Sequence, residues 1–224
     1  ALFEALRASG AFIEVERGFL EYVKGLIPDV AADKAVGDGE VSADVVVSIG
    51  GDGTFLRAAA WVGSRETPIF GVNTGHLGYL SDVSVADVST FVAGLADGNF
   101  RIERRSLLQV DTNAGVALAN RYALNEVAIL KNASASMLAM DTSVDTTMLN
   151  TYLGDGLIIA TPTGSTAYNL SVGGPILHPA CSSFVLSPIA AHSLTMRPLV
   201  VPDTVEIAVT TRSERSHTFR ISVD

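Results

Sequence analysis

The sequence has little of what bridges chains, binds polyanions or crosses membranes. One cysteine, Cys181, stands among 224 residues, which excludes an intrachain disulfide framework, and with no CxxC or Cys/His cluster there is no structural zinc motif. A reducing, cytoplasmic compartment is the expectation. Basic residues are scarce, with 15 Lys and Arg against 24 Asp and Glu and a formal charge of −9, the reverse of a nucleic-acid footprint. Long apolar runs are missing too. Mean hydropathy is +0.35, yet Val45-Val46-Val47 and Leu157-Ile158-Ile159-Ala160 stop far short of the ~18 residues that span a bilayer. Ala1 to Gly10 carries Glu4 and Arg7 and lacks the apolar centre of a secretory signal. The four histidines, His76, His178, His192 and His217, show no metal-ligand spacing.

What is present reads as a folded protein with a real core, 48% of its residues being hydrophobic. Residues 1–98 alternate helix and strand. Val45 to Ile49 reads as a buried strand, Thr54 to Val62 as a helix capped by Thr54, Pro68 to Val72 as a strand and Val85 to Ala96 as a helix with Val88, Phe91, Val92 and Leu95 on one face. From Phe100 the period changes to two, as in Leu107 to Val110 and the returning strand Tyr122 to Leu130 across a turn at 111–115. Further strands are expected at 137–140, 157–160, 184–186, 199–201, 205–209 and 219–223. The fold class is therefore an α/β, Rossmann-like N-terminal domain over 1–98, followed by an all-β sandwich over 99–224. Both ends read as cut, so the whole protein is expected to be longer.

Three motifs carry chemistry. The first is Ser48-Ile49-Gly50-Gly51-Asp52-Gly53-Thr54, a strand running through glycines into a helix. Glycine permits close backbone approach, and a helix N-terminus offers N–H donors to a phosphate. It is neither a Walker A loop nor a GxGxxG fingerprint. Asp52 repels a phosphate by ~1–4 kcal/mol at 4 Å, so it takes a proton from an attacking hydroxyl, holds Mg²⁺, or makes an Asx-type turn. The second is Asn125-Glu126 inside an apolar strand, suited to a vicinal diol or else marking a solvated strand end or an edge bulge. The third is Asp155-Gly156 leading to Thr161-Pro162-Thr163-Gly164-Ser165-Thr166-Ala167-Tyr168, a hydroxyl-rich turn that either encloses a ring or caps itself.

Together with Asn73-Thr74-Gly75-His76-Leu77-Gly78, Gly173-Gly174-Pro175 and Arg197-Pro198, these motifs resemble the NAD kinase family, in its bacterial type, from about residue 43 to about residue 202. The glycine loop is shared with lipid kinases; the Asn-Glu and Thr-Pro-Thr-Gly-Ser-Thr-Ala-Tyr elements are more specific. The resemblance implies ATP-dependent phosphorylation of the 2′-hydroxyl of the adenosine ribose of NAD, giving NADP. It implies Asp52 as general base, with Gly51, Gly53, Thr54 and Arg57 beside it. It implies Asn125, Glu126 and Asp155 as NAD ligands, and Thr166, Ala167, Tyr168 and Ser171 as the enclosing loop. It also implies a homodimer or homotetramer whose NAD site draws on two subunits. The acidic balance leaves a triphosphate poorly neutralised, so a divalent metal, Mg²⁺, is expected, with no ligands assigned. Some family members carry a basic residue where this chain has Leu153. Two other readings are a lipid kinase, which calls for a wide apolar cleft where this chain has a polar turn, and a non-catalytic NAD(P)-binding module, against which Asp52 speaks.

Overall fold

Parallel strands with helical crossovers organise the first part of the chain, as the alternating pattern requires. The computed structural model describes all residues except 31, 38–39, 76–77, 82, 114, 116, 133–136 and 214–217, so His76, Leu77, His217 and part of the turn at 111–115 lie outside the described residues. The chain divides into two compact units, Ala1–Glu103 and Arg104–Asp224.

In the first unit, helix α1 (Leu2–Ala8), strand β1 (Glu14–Glu16), helix α2 (Arg17–Leu26) and strand β2 (Lys34–Val36) precede the main sheet, and β1 pairs with β2 in parallel. That sheet holds β3 (Val46–Ile49), β4 (Ile69–Asn73) and β5 (Val83–Ser84), all parallel, with α3 (Asp52–Val62) crossing from β3 to β4. Val47, Phe70 and Val72 share one face of the sheet. Val88, Phe91 and Val92 of α4 (Val88–Ala96) pack on it together with Leu2, Ala5 and Leu6 of α1, the Phe70 and Phe91 ring centroids being 4.4 Å apart. Helix α3 begins earlier than the sequence leads one to expect, at Asp52. Its N-cap is Gly51, with no side-chain cap. Gly50 leads into it at φ +149°, and the Thr54 N–H is bonded to Gly51 O at 3.0 Å. Thr54 therefore lies inside the first turn and caps nothing.

The second unit carries β6 (Leu108–Gln109), β7 (Tyr122–Ala123), β8 (Glu126–Lys131), β9 (Leu138–Val144), β10 (Thr147–Gly154), β11 (Gly156–Ala160), the short helix α5 (Tyr168–Ser171), β12 (Ser183–Ile189), β13 (Leu199–Pro202), β14 (Ile207–Arg212) and β15 (Phe219–Val223). Two antiparallel sheets, ordered β10-β9-β14 and β13-β12-β11-β8-β15, enclose the core. Leu138 and Met140 of β9 and Tyr152 of β10 meet Val127, Ile129, Leu157, Ile159 and Leu186 across the sandwich. The other face of the larger sheet is also buried. Ala128, Ile158, Ala160 and Val185 are covered there by Val172 and Leu177, so all five residues of β11 are buried. A strand buried on both faces reads as a continuous apolar run, and each fully buried Leu or Ile contributes ~1.5–3 kcal/mol. The expected single strand over 122–130 is instead broken at Leu124-Asn125.

Candidate functional site

The glycine loop is shaped by steric need at one residue and by empty space at two others. A Cβ at Gly50 would sit 2.5 Å from Thr54 Oγ1, and its φ of +149° is unfavourable to other residues. A Cβ at Gly51 or Gly53 would meet nothing within 4 Å. Both are exposed, as is Thr54, and the leading N–H groups of a helix have no intrahelical partner. An anion can therefore approach the start of α3. Arg57, one turn further on, is exposed.

Asp52 makes no Asx turn of its own. Its carboxylate accepts the N–H of Tyr79 at Oδ2 (2.9 Å) and the N–H of Leu80 at Oδ1 (3.0 Å). These donors belong to the segment after β4, which buried Asn73 ties down from both ends. Asn73 Oδ1 accepts the Gly75 N–H at 2.8 Å, and its Nδ2 donates to Ser81 O at 3.3 Å.

In the second unit, three distant segments meet at the break between β7 and β8. Buried Thr161, just past β11, donates its N–H to Asn125 O (2.8 Å) and its hydroxyl to Leu124 O (2.5 Å), while its Oγ1 accepts the Gly164 N–H (3.1 Å). Gly164 lies so close to Asn125 that a Cβ would collide with the Asn125 carbonyl. From the far end of the chain, Asp224 accepts three consecutive N–H groups, those of Leu124 (2.6 Å), Asn125 (2.9 Å) and Glu126 (2.9 Å). These bonds replace a strand ladder, so Asn125 falls in the interruption and Glu126 opens β8. Burial and the nearby Asp224 carboxylate push Glu126 up to about 7, with the Tyr168 backbone N–H opposing. Burial also raises Asp224. Glu126 Oε2 is buried without a hydrogen-bond partner.

The hydroxyl-rich turn divides in two. Its buried part caps itself: Ser165 Oγ donates to Pro162 O at 2.6 Å and accepts the Leu177 N–H at 3.0 Å. Asn169, wholly buried, donates to Ser165 O and Pro175 O and accepts from Ser187 Oγ at 2.6 Å, anchoring the turn to β12. Thr166, Tyr168 and Ser171 remain exposed and Ala167 half-buried. Asp155, in the tight link between β10 and β11, pairs with Lys131; Leu153 is 43% exposed.

The structure thus gathers Asn125, Glu126 and Tyr168 in the second unit and holds Asp52 with Gly51, Gly53 and Thr54 in the first. Sequence reading assigned no role to four residues: Asn73, Lys131, Asn169 and Asp224. Two of them had a local signal: Asn73 opens the motif Asn73–Gly78, and Asn169 directly follows the Thr161–Tyr168 turn. Among the described residues, no group of three or more His, Cys, Asp or Glu is placed to hold a metal ion, and no helix is long and apolar enough to cross a membrane.

Comparison with known proteins gives matches along the chain. Residues 32–100 match the family model for the ATP-NAD kinase N-terminal domain and residues 124–223 that for the C-terminal domain. An NAD kinase of Bacteroides fragilis is 46% identical over 224 residues, covering all of this chain and 77% of the relative. The crystal structure of an NAD kinase from Archaeoglobus fulgidus in complex with ATP is 28% identical with a TM-score of 0.68, covering 94% of this chain and 82% of that one. Yeast NADH kinase complexed with NADH is similar in fold, with a TM-score of 0.81 at 23% identity over all of this chain and 71% of that one.

Proposed function

The chain belongs to the NAD kinase family, and we infer that it is an NAD kinase, transferring a phosphoryl group from ATP to the 2′-hydroxyl of the adenosine ribose of NAD to give NADP. The observation that carries the mechanism is Asp52, a carboxylate placed in a phosphate-type glycine loop with one main-chain N–H on each oxygen. A charge that opposes the donor phosphates needs a chemical use, and each oxygen keeps a lone pair able to accept a hydroxyl proton. Asp52 takes the proton of the attacking hydroxyl, while the N–H groups at the start of α3, beside Gly51 and Gly53, offset phosphate charge. Exposed Thr54 and Arg57 extend this surface.

Asn125 and Glu126 hold the ribose diol. What supports this is the orphaned Oε2 of Glu126, since a buried carboxylate oxygen without a donor costs free energy that a ribose hydroxyl would recover. Thr166, Ala167, Tyr168 and Ser171 enclose a ring of the dinucleotide, and Asp155 contacts it. A divalent metal, Mg²⁺, accompanies the triphosphate. No protein ligand is assigned to it, since among the described residues no group of three or more His, Cys, Asp or Glu is placed to hold a metal ion, and it would be held chiefly by donor phosphate oxygens and water, as is usual for this ion. The metal neutralises phosphate charge when bound.

A homodimer or homotetramer is the proposed assembly, supported by the exposed apolar side chains of Met148, Leu149 and Leu153 on β10, an edge strand. A cytoplasmic location fits the free thiol of Cys181. The test is Asp52→Asn in a coupled NADP-formation assay. It lowers kcat by about 10²–10⁴-fold and leaves the NAD KM nearly unchanged, the signature of general-base loss; near wild-type turnover would remove Asp52 from the role.

A further inference from the structure

We propose that Gly78 is a positioning residue for Asp52, its missing side chain being what allows the 78–80 main chain to close over both carboxylate oxygens. This rests on the reading of Asp52 as proton acceptor. A single donor would leave the carboxylate free to rotate about Cβ–Cγ, where side-chain torsions are broad. Adjacent donors on separate oxygens, Tyr79 N–H on Oδ2 and Leu80 N–H on Oδ1, fix that rotation. Asn73, bonded to Gly75 and to Ser81 on either side of residues 78–80, anchors the segment that carries them.

A Cβ at residue 78 would fall on Asp52 Oδ1 and lie 2.8 Å from Cγ and 3.1 Å from Oδ2. Gly78 has no positive φ, so space rather than backbone freedom demands glycine here. The contrast with Gly51 and Gly53 is informative, since a Cβ at either meets nothing within 4 Å. The glycines flanking Asp52 leave room for a ligand, whereas Gly78 leaves room for the carboxylate itself. What must yield in Gly78→Ala is the end of one short side chain and not the backbone. The fold therefore persists while the carboxylate swings out of place, and a misplacement of ~1 Å can cost ~10²-fold in rate.

The experiment compares Gly78→Ala, Asp52→Asn and the double variant in the full chain, following kcat, the NAD KM, NAD affinity by calorimetry and Tm. Gly78→Ala should lower kcat roughly 10²-fold, with NAD KM and affinity within about threefold, a split that a merely structural defect would not give. Tm should stay within about 3 °C of the wild type. The double variant should turn over at the rate of Asp52→Asn alone, because displacing a base that is already gone costs nothing further. An active Gly78→Ala beside an inactive Asp52→Asn would overturn the positioning role alone. So would a double variant at least about tenfold slower than Asp52→Asn, or a Gly78→Ala defect expressed as lost NAD affinity. Near wild-type turnover by Asp52→Asn would instead sink the base assignment, and Gly78 with it.

Discussion

Lys131 and Asp155 are joined twice, by an ion pair of 2.6 Å between Nζ and Oδ1 and by a hydrogen bond of 2.9 Å from the Lys131 N–H to Asp155 O. The main-chain bond sets the register of β8 against the turn before β11, and the ion pair aims the carboxylate.

Both side chains are about one-third exposed, so the pair contributes at most ~1 kcal/mol to stability. Its larger effect is on ligand binding. Lys131→Met releases an unpaired anion where a dinucleotide with negative phosphates is expected, and a repulsion of ~1 kcal/mol corresponds to roughly a fivefold rise in NAD KM. Lys131→Arg should restore the wild-type value, and kcat should move little. Unchanged KM in Lys131→Met would detach Asp155 from the NAD site.

Glu126 supplies a pH dependence. Its native value of about 7 lies above the ordinary 4.5, so between these pH values the native state holds a proton that the unfolded chain releases. The contribution of this group to stability is full below pH 4.5 and is lost as pH rises through about 7. Glu126→Gln should flatten that part of the stability curve, measured by urea unfolding from pH 4.5 to 8. If the ionised carboxylate accepts the diol protons, NAD affinity should rise from pH 6 to pH 8 in the wild type and stay level in Glu126→Gln. Calorimetry at the two pH values decides the point.

Asp224 combines three acceptor contacts with a charge beside Glu126, and two substitutions separate these roles. Asp224→Ala strips the acceptor from three N–H groups and should cost about 1.5–3 kcal/mol in unfolding free energy. Asp224→Asn keeps an acceptor oxygen and removes the charge, so it should cost less while moving the Glu126 titration toward the ordinary carboxylate range. An unshifted Glu126 titration, followed by carboxyl NMR, would show that burial alone raises it.

The buried run Leu157–Ala160 was legible as a strand because both of its faces are covered, and the glycine loop because a strand and a helix flank it. Strand β10 was not legible. Thr147, Asn150 and Thr151 dilute its apolar signal, and its first three residues are exposed at a sheet edge. The residue type of Thr54 suits a helix cap, yet the helix starts at Asp52 with Gly51 as its N-cap, because no side-chain bond is needed there. The interruption at Leu124-Asn125 could not be read locally, since the groups that replace the ladder come from Thr161 and Asp224. Which hydroxyls of the 161–168 turn face inward was equally a matter of tertiary contact, set by Asn169 and Leu177.

The pairing of β15 with β8 also has a consequence for how the protein is made. Glu126 and Asp224 are 98 residues apart, and contacts of such long sequence separation form late because a large loop must close first. While the ribosome is still adding residues 219–224, β8 is an open strand edge, carrying Val127 and Ile129, and the N–H groups of Leu124, Asn125 and Glu126 at its start lack their Asp224 acceptor. Such an edge is a template for pairing with another chain. The Leu124–Glu126 segment is thus completed only when synthesis reaches its acceptor, and the nascent protein is most exposed to aggregation in the interval before Asp224 emerges.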